Sequence, residues 1–536
     1  MRAAQLFFFL LIVSSLCHSS PDWTEGALIT PEGRPNPYQV SIDQLESTQN
    51  RGYQHALQYP ISITGILIPE RPVKRMMGNR LFNNLFDWLG LHSYENLWSP
   101  IKISTPVNID PNLHPMGYSR IERDGATGFT VSCAGCHSSP LFGKVVIGLT
   151  NRFPRANHFF IRGQTAVKFY NQELGALISK SSPAEAKMLS ASIRNLQSVG
   201  LKMPIQLGLD TSLAQVALSL NKREPSPWAE QSTYYQKNPR PDHLEKTPAD
   251  SKPAVWWNLK YKNRWLSDGS VVSGNPILTN ILWNEIGRGV DLKKLDLWLN
   301  ENPKIIEELT TAVFSTEAPR IEDFFSENQI IPSQAKNGEK IFNQTCAKCH
   351  GEYIKNWSLP EYVNKPWREQ IKTHQVIYHD TTPIKNVGTD PLRYLGMKSL
   401  EQLNRLEISK NYGIKIEAQV GYVPPPLVGI WARYPYMHNN SMPNLCAVLT
   451  PSEERPKIYF SGPAENTKTD YDFECGGYPV GDKTPALWTR KREHLFDTRR
   501  PGLSNQGHDN KIFIKNGQNI LTRQDRLDLI QFLLTL

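Results

Sequence analysis

Two pentapeptides constrain this chain more than anything else in it: Cys133-Ala134-Gly135-Cys136-His137 and Cys346-Ala347-Lys348-Cys349-His350. In Cys-x-x-Cys-His the thiols stand one helical turn apart on one face, so both can bond covalently to a porphyrin edge. The histidine that follows sets an imidazole beneath the iron as proximal ligand. With seven cysteines and 13 histidines in 536 residues, one chance match has a probability of about 0.002, and two are not chance. A zinc site would want a second ligand pair nearby, and a redox dithiol needs no histidine. Both motifs are therefore expected to hold covalent c-type haem, with His137 and His350 on the two irons.

The N-terminus fits that chemistry. Met1-Arg2 followed by the apolar run from Leu6 to Val13 has the form of a secretory signal, with cleavage expected after Ser19. Cys17 suggests a lipid anchor, but Leu16 is bulky for the position before it. The apolar run is too short to span a bilayer and no later segment is long enough, so a periplasmic or secreted chain is expected. The net charge of +9 comes from scattered lysines and arginines rather than runs. It suits an acidic partner or an anionic surface, not nucleic acid. Cys17 leaves with the signal and four cysteines serve the motifs. Cys446 and Cys475 remain, and in an oxidising compartment they are expected to pair.

Forty prolines and 34 glycines make the expected fold mainly α but loop-rich: two cytochrome c-like haem domains with large insertions. The division is 1–19 signal peptide, 20–100 N-terminal segment, 101–330 first haem domain and 333–536 second haem domain. Leu81, Leu85 and Trp88 predict a packing helix over 78–88, and 143–149 looks extended. Residues 165–200 read as amphipathic helices broken near Pro183, and 222–253 as a polar surface excursion. Helical pattern returns over 276–315, and Pro319 to Pro332 looks like a linker. Gly338, Phe342 and Cys346 share a helix face, the glycine allowing close approach of the stretch from Thr522 to Leu536. Thr522 with Asp525 makes a helix start.

Residues Gly421-Tyr422-Val423-Pro424-Pro425-Pro426-Leu427-Val428-Gly429-Ile430-Trp431-Ala432-Arg433, continuing through Tyr436-Met437-His438-Asn439-Asn440-Ser441-Met442-Pro443, resemble a segment of bacterial dihaem cytochrome c peroxidases. Within that superfamily the chain is most similar to the dihaem rubber oxygenase type. The likeness rests on Gly388-Thr389-Asp390-Pro391, Trp256-Trp257, Glu454 to Phe460, Phe496-Asp497-Thr498 and Pro501 to His508, and runs over about residues 100–536. It departs from the pattern at Asn440, where relatives carry glycine.

The resemblance implies that His508 is the sixth ligand of the second haem, with Met442, Met437 and His438 as competitors. His438 would otherwise make a structural or propionate-side hydrogen bond. Arg433 would face a propionate, or else form a surface salt bridge. The first haem would keep an open face, His114 and Met116 being the nearest residues able to block it. Trp257 would bridge the haems, while Trp256 reads equally as core. Peroxide or dioxygen, an organic substrate and a small redox-protein donor are the implied partners.

Two functions follow: an oxidoreductase that activates peroxide or dioxygen at the first haem, with the second as electron store, or an electron carrier with both irons six-coordinate. Either way the exported chain should carry two haem increments, read by intact mass and haem staining after denaturing electrophoresis. A single increment would remove the dihaem reading.

Overall fold

The computed structural model describes residues 28–29, 34, 36–99, 101–106, 108–169, 180–209, 212–273, 275–325 and 329–536; the expected signal segment and Cys17 lie outside them. Helix outweighs strand, 42% against 12%, and proline starts several of the helices. Pro183, Pro276, Pro303 and Pro332 each stand in the first turn of a helix, where a missing N–H leaves no bond unmade.

In chain order the helices that matter are α1 (Ile42–Leu57), α2 (Asn79–Leu89), α3 (Pro183–Gln197), α4 (Pro276–Ile286), α5 (Pro303–Phe314), α6 (Pro332–Thr345) and α7 (Arg523–Leu533). Helix α1 lies on α5 so closely that a Cβ on Gly52 would stand 2.0 Å from the Glu308 carbonyl oxygen. Helix α2 forms where expected but turns a different face inward. Phe82, Phe86 and Leu89 are buried while Leu81 is 59% exposed. The two phenylalanines meet Phe129 edge-on at 5.6 and 6.3 Å; burying aromatic area outweighs burying leucine there.

Two hairpins frame the first motif. Strands β1 (Tyr118–Arg123) and β2 (Ala126–Val131) pair antiparallel from Tyr118↔Val131 to Arg123↔Ala126. Strands β3 (Ser138–Leu141) and β4 (Lys144–Ile147) pair from Ser138↔Ile147 to Leu141↔Lys144, which accounts for the extended 143–149 stretch. The first motif is thus a single 3-10 turn between strands, not part of a long helix.

The second motif hangs from α6. As the sequence suggests, Gly338 lets α7 in: a Cβ there would lie 2.0 Å from the Asp528 carbonyl oxygen, and Phe342 meets Phe532 at 5.2 Å. Thr522 and Asp525 form a reciprocal capping box at the start of α7. Cys446 and Cys475 are joined, with Cα atoms 4.9 Å apart. The stretch expected as a linker is packed instead: Ile321 and Phe325 are buried, and Phe325 meets Trp431 at 5.8 Å. One apolar core gathers Phe342, Trp257 and Trp431 against Cys346, and another gathers Tyr53, Trp256 and Leu282 against Cys133.

Because the α6–α7 contact is backbone against backbone, Gly338→Ala should push the helices apart and cost about 3 kcal/mol. Denaturant unfolding of the variant beside the parent protein reads this as a lowered midpoint.

Candidate haem sites

The second motif is built at the end of α6. Cys346 caps that helix, and a short turn of helix, Ala347–His350, carries Cys349 and His350. His350 donates from Nδ1 to the Pro425 carbonyl at 2.9 Å, which fixes the tautomer and leaves the Nε2 lone pair toward the interior. Tyr353 supports the same corner, donating to the His350 carbonyl at 2.9 Å and accepting from the Leu427 amide at 2.6 Å.

Across from His350 stands His508, their ring centres 6.2 Å apart. Two imidazoles on one metal, with metal–nitrogen bonds of about 2.0–2.1 Å, place their centres roughly that far apart. Between and around them lies a cavity of about 270 Å³ whose walls include Cys346, Cys349, Phe342, Val448 and Leu529. Burial first, then Arg433 and His379, pushes His350 down to about 4. Burial first, then His350 and Arg455, pushes His508 down to about 3. Both rings are neutral at physiological pH and hold lone pairs for a metal. Thiols, paired imidazoles and an apolar cavity fit a c-type haem.

His508 takes an uncommon backbone conformation, with φ of 60°, and several contacts hold it there. Its amide donates to the Val387 carbonyl at 2.8 Å. Gly507 packs so close to Gly388 that a Cβ would lie 2.3 Å from the Gly388 carbonyl carbon. The Arg455 side chain, with no exposed surface, donates to the carbonyls of Asn505 and Gly507 at 2.5 and 2.7 Å and to that of Thr450 at 2.8 Å. The Asp509 carboxylate accepts from the Ser452 amide at 2.8 Å. Two segments far apart in sequence, 452–455 and 505–509, thereby form one clamp. The sequence marks Glu454 to Phe460 only as a resemblance and gives Arg455 no role.

Of the competing ligands, Met442 is fully buried and does not line the cavity, whereas Met437 and His438 do. His438 stacks on Tyr422 at 4.0 Å, and burial, then Arg393, pushes it down to about 3. Arg433 is no surface ion pair. It is half-buried, donates to the Pro426 carbonyl at 2.8 Å, and desolvation holds it at about 10. Lys252, at the end of the supposed surface excursion, is half-buried beside it and donates to the Arg433 and Pro435 carbonyls at 3.1 and 2.5 Å.

At the first motif, a Cβ on Gly117 would lie 2.7 Å from the Gly135 Cα. Asn151 donates its amide side chain to the Gly135 carbonyl at 2.8 Å and its backbone N–H to that of Cys136 at 2.9 Å. The ring beside His137 is Trp256, at 5.4 Å, and desolvation pushes His137 down to about 4. Gly148 ties the two rings' backbones together, donating to the His137 carbonyl at 2.8 Å and accepting from Trp256 at 3.0 Å. Trp257 turns the other way and donates from its indole to the Val428 carbonyl at 2.9 Å, three residues from the His350 partner Pro425. His114 is committed elsewhere, stacked on Tyr118 at 4.8 Å and accepting from the Asp110 amide. Met116 is buried in the core that holds Ala134. Among the described residues no three His, Cys, Asp or Glu side chains gather to hold a bare metal ion.

Residues 421–460 match the family model described as "RoxA-like, cytochrome c-like". The chain therefore contains a cytochrome c-like domain, which implies a c-type haem with iron. That segment supplies Pro425, Trp431, Arg433, His438 and Arg455. The chain is also similar to two proteins of Sinorhizobium fredii (strain NBRC 101917 / NGR234). It is 39% identical over 94 residues to the uncharacterized protein y4iJ, covering 18% of this chain and 14% of that protein. It is 33% identical over 102 residues to the uncharacterized protein y4iM, covering 18% and 21%. The matches thus span about a fifth or less of these relatives. No helix among the described residues is long and apolar enough to cross a membrane, and cytochrome c-like proteins are usually exported.

The Arg455 clamp can be tested on His508. Each buried hydrogen bond to a charged donor stabilises by about 1.5–3 kcal/mol, so Arg455→Gln should raise the fraction of second sites that lose the His508 ligand by at least about tenfold. The expected signature is partial cyanide binding at a haem that is closed in the parent, with His508→Ala showing it fully.

Proposed function

We propose that the chain is an exported dihaem c-type cytochrome acting as an oxidoreductase, in which the first motif holds the reactive haem and the second an electron-storing one. The observation that carries this reading is an asymmetry. His350 faces a second imidazole across a cavity, whereas the ring beside His137 is an indole. A haem held by Cys133, Cys136 and His137 would supply one-electron chemistry toward peroxide or dioxygen.

The chain's own residues supply the rest. Cys133 and Cys136 would anchor the first haem, with His137 beneath it in a desolvated setting. Cys346, Cys349, His350 and His508 would hold the second between two imidazoles, which suits storing an electron rather than binding substrate. Trp256 and Trp257 are consecutive, one against His137 and the other against the Val428 carbonyl beside the second site. They form a continuous covalent link between the two motif surroundings, and Trp257 is the residue proposed to bridge them. An organic substrate and a small redox-protein donor complete the proposed set of partners.

Electron paramagnetic resonance of the oxidised and half-reduced protein, with and without cyanide, tests the asymmetry. The expected result is one site that shifts with added ligand and one that does not, the responsive site being lost in a Cys133→Ala, Cys136→Ala protein. Two low-spin sites that never respond would make the chain an electron carrier.

A further inference from the structure

Between the two motif regions lies a second, smaller cavity of about 20 Å³, room for a single oxygen-sized group. It shares Thr150, Lys252 and Arg433 as a wall with the larger cavity that His350 and His508 face. Three buried polar atoms on its lining have no hydrogen-bond partner: Nε of Arg152, the hydroxyl of Tyr434 and the side-chain oxygen of Asn440. Arg152 lies 4.5 Å over the Tyr434 ring. Its other nitrogens are taken by Ser139, Pro140 and Ala432 at 3.0 to 3.2 Å, so Nε–H is the donor left over.

The charge around this chamber is one-sided. Among the described residues no carboxylate pairs with Arg152, Lys252 or Arg433. Asp470, the acid nearest in effect to Tyr434, accepts from the Glu465 and Asn466 amides and the Thr469 hydroxyl. Arg152 is buried and the other two are half-buried, and cations drawn out of water without a counter-charge are costly. Burial, Arg433 and Arg152 together push the Lys252 ammonium well below its usual range, and a nearby anion would relieve that. Asn440 takes a left-handed backbone, φ of 59°, at the position where the resembled segment carries glycine. The Gly208 backbone, also left-handed at φ of 90°, leaves room for its side-chain nitrogen, which a Cβ on Gly208 would approach to 3.6 Å. An amide reverses its donor and acceptor by a half-turn, so Asn440 can join Arg152 and Tyr434 as a third donor.

We propose that this chamber is a carboxylate-binding site, taking one oxygen of a carboxylate that enters past Lys252 and Arg433. The carboxylate is either a propionate of the porphyrin held at Cys346 and Cys349, which rests on the function proposed above, or a small carboxylate from solution.

The test uses infrared spectroscopy of the haem-loaded protein and its Asn440→Gly and Tyr434→Phe variants. Glycine suits the left-handed position and Phe keeps the ring, so both variants should fold. In one arm the haem propionates carry ¹³C; a carboxylate stretch that shifts in both variants supports the site with the propionate as occupant. In the other, ¹³C-formate is added to unlabelled protein. A saturable bound band, weakened about tenfold in the variants as for one lost hydrogen bond to a charged group, supports the site with an external occupant. If neither band responds to either substitution, the chamber holds no carboxylate and the proposal is overturned. A haem count on the same samples separates this from the dihaem reading: fewer than two haems breaks that reading, while the formate arm still decides the chamber.

Discussion

The structure depends most on the opposition of His350 and His508. One imidazole is oriented by a carbonyl from a proline-rich turn, the other by a loop forced into a left-handed backbone. Neither arrangement is held locally. The first needs Pro425 brought beside the end of α6, and the second needs Arg455 driven into the turn before His508. A covalent motif can seat a porphyrin from a few consecutive residues, but an imidazole facing the motif histidine must be delivered by distant chain. That demand explains why so much of the C-terminal region is loop pinned by buried hydrogen bonds.

The same economy appears at Trp256 and Trp257. Consecutive residues in a 3-10 helix point about 120° apart, and here the two side chains belong to different cores. Trp256 rests against His137, and Trp257 fills the space left by Gly429, where a Cβ would come within 3.1 Å of its indole nitrogen. The pair ties the packing around one motif to the packing around the other, so a change at either tryptophan is felt at both. This structural linkage stands whether or not electrons use it.

Charge is handled differently in the two halves of the site. The cavity between the imidazoles is mostly apolar, which favours neutral histidines and a hydrophobic ring system. At its end the protein sets the half-buried Arg433 and Lys252 against backbone carbonyls instead of carboxylates. Carbonyl dipoles offset part of the desolvation cost, but they do not neutralise the charge. A site of this kind is prepared for an anion that the polypeptide does not itself supply.

Much of this was legible in the sequence because it rests on short-range chemistry. The spacing Cys-x-x-Cys-His sets two thiols and an imidazole whatever the surrounding fold. The Gly338, Phe342, Cys346 periodicity, the capping pair Thr522 and Asp525, and the two leftover cysteines likewise express local geometry or elimination. Tertiary structure decided what periodicity leaves degenerate. In α2 the leucine face and the phenylalanine face are both helical, and only the presence of Phe129 selected the second. Pro319 to Pro332 has the composition of a linker, yet Trp431 offers Phe325 a surface to bury against. Arg455 and Lys252 carry no signal of their own in one dimension, since a surface arginine and a loop-clamping one look alike until the chain brings carbonyls to meet it. Local rules settled which residues could hold a haem; long-range packing settled which residues hold those residues in place.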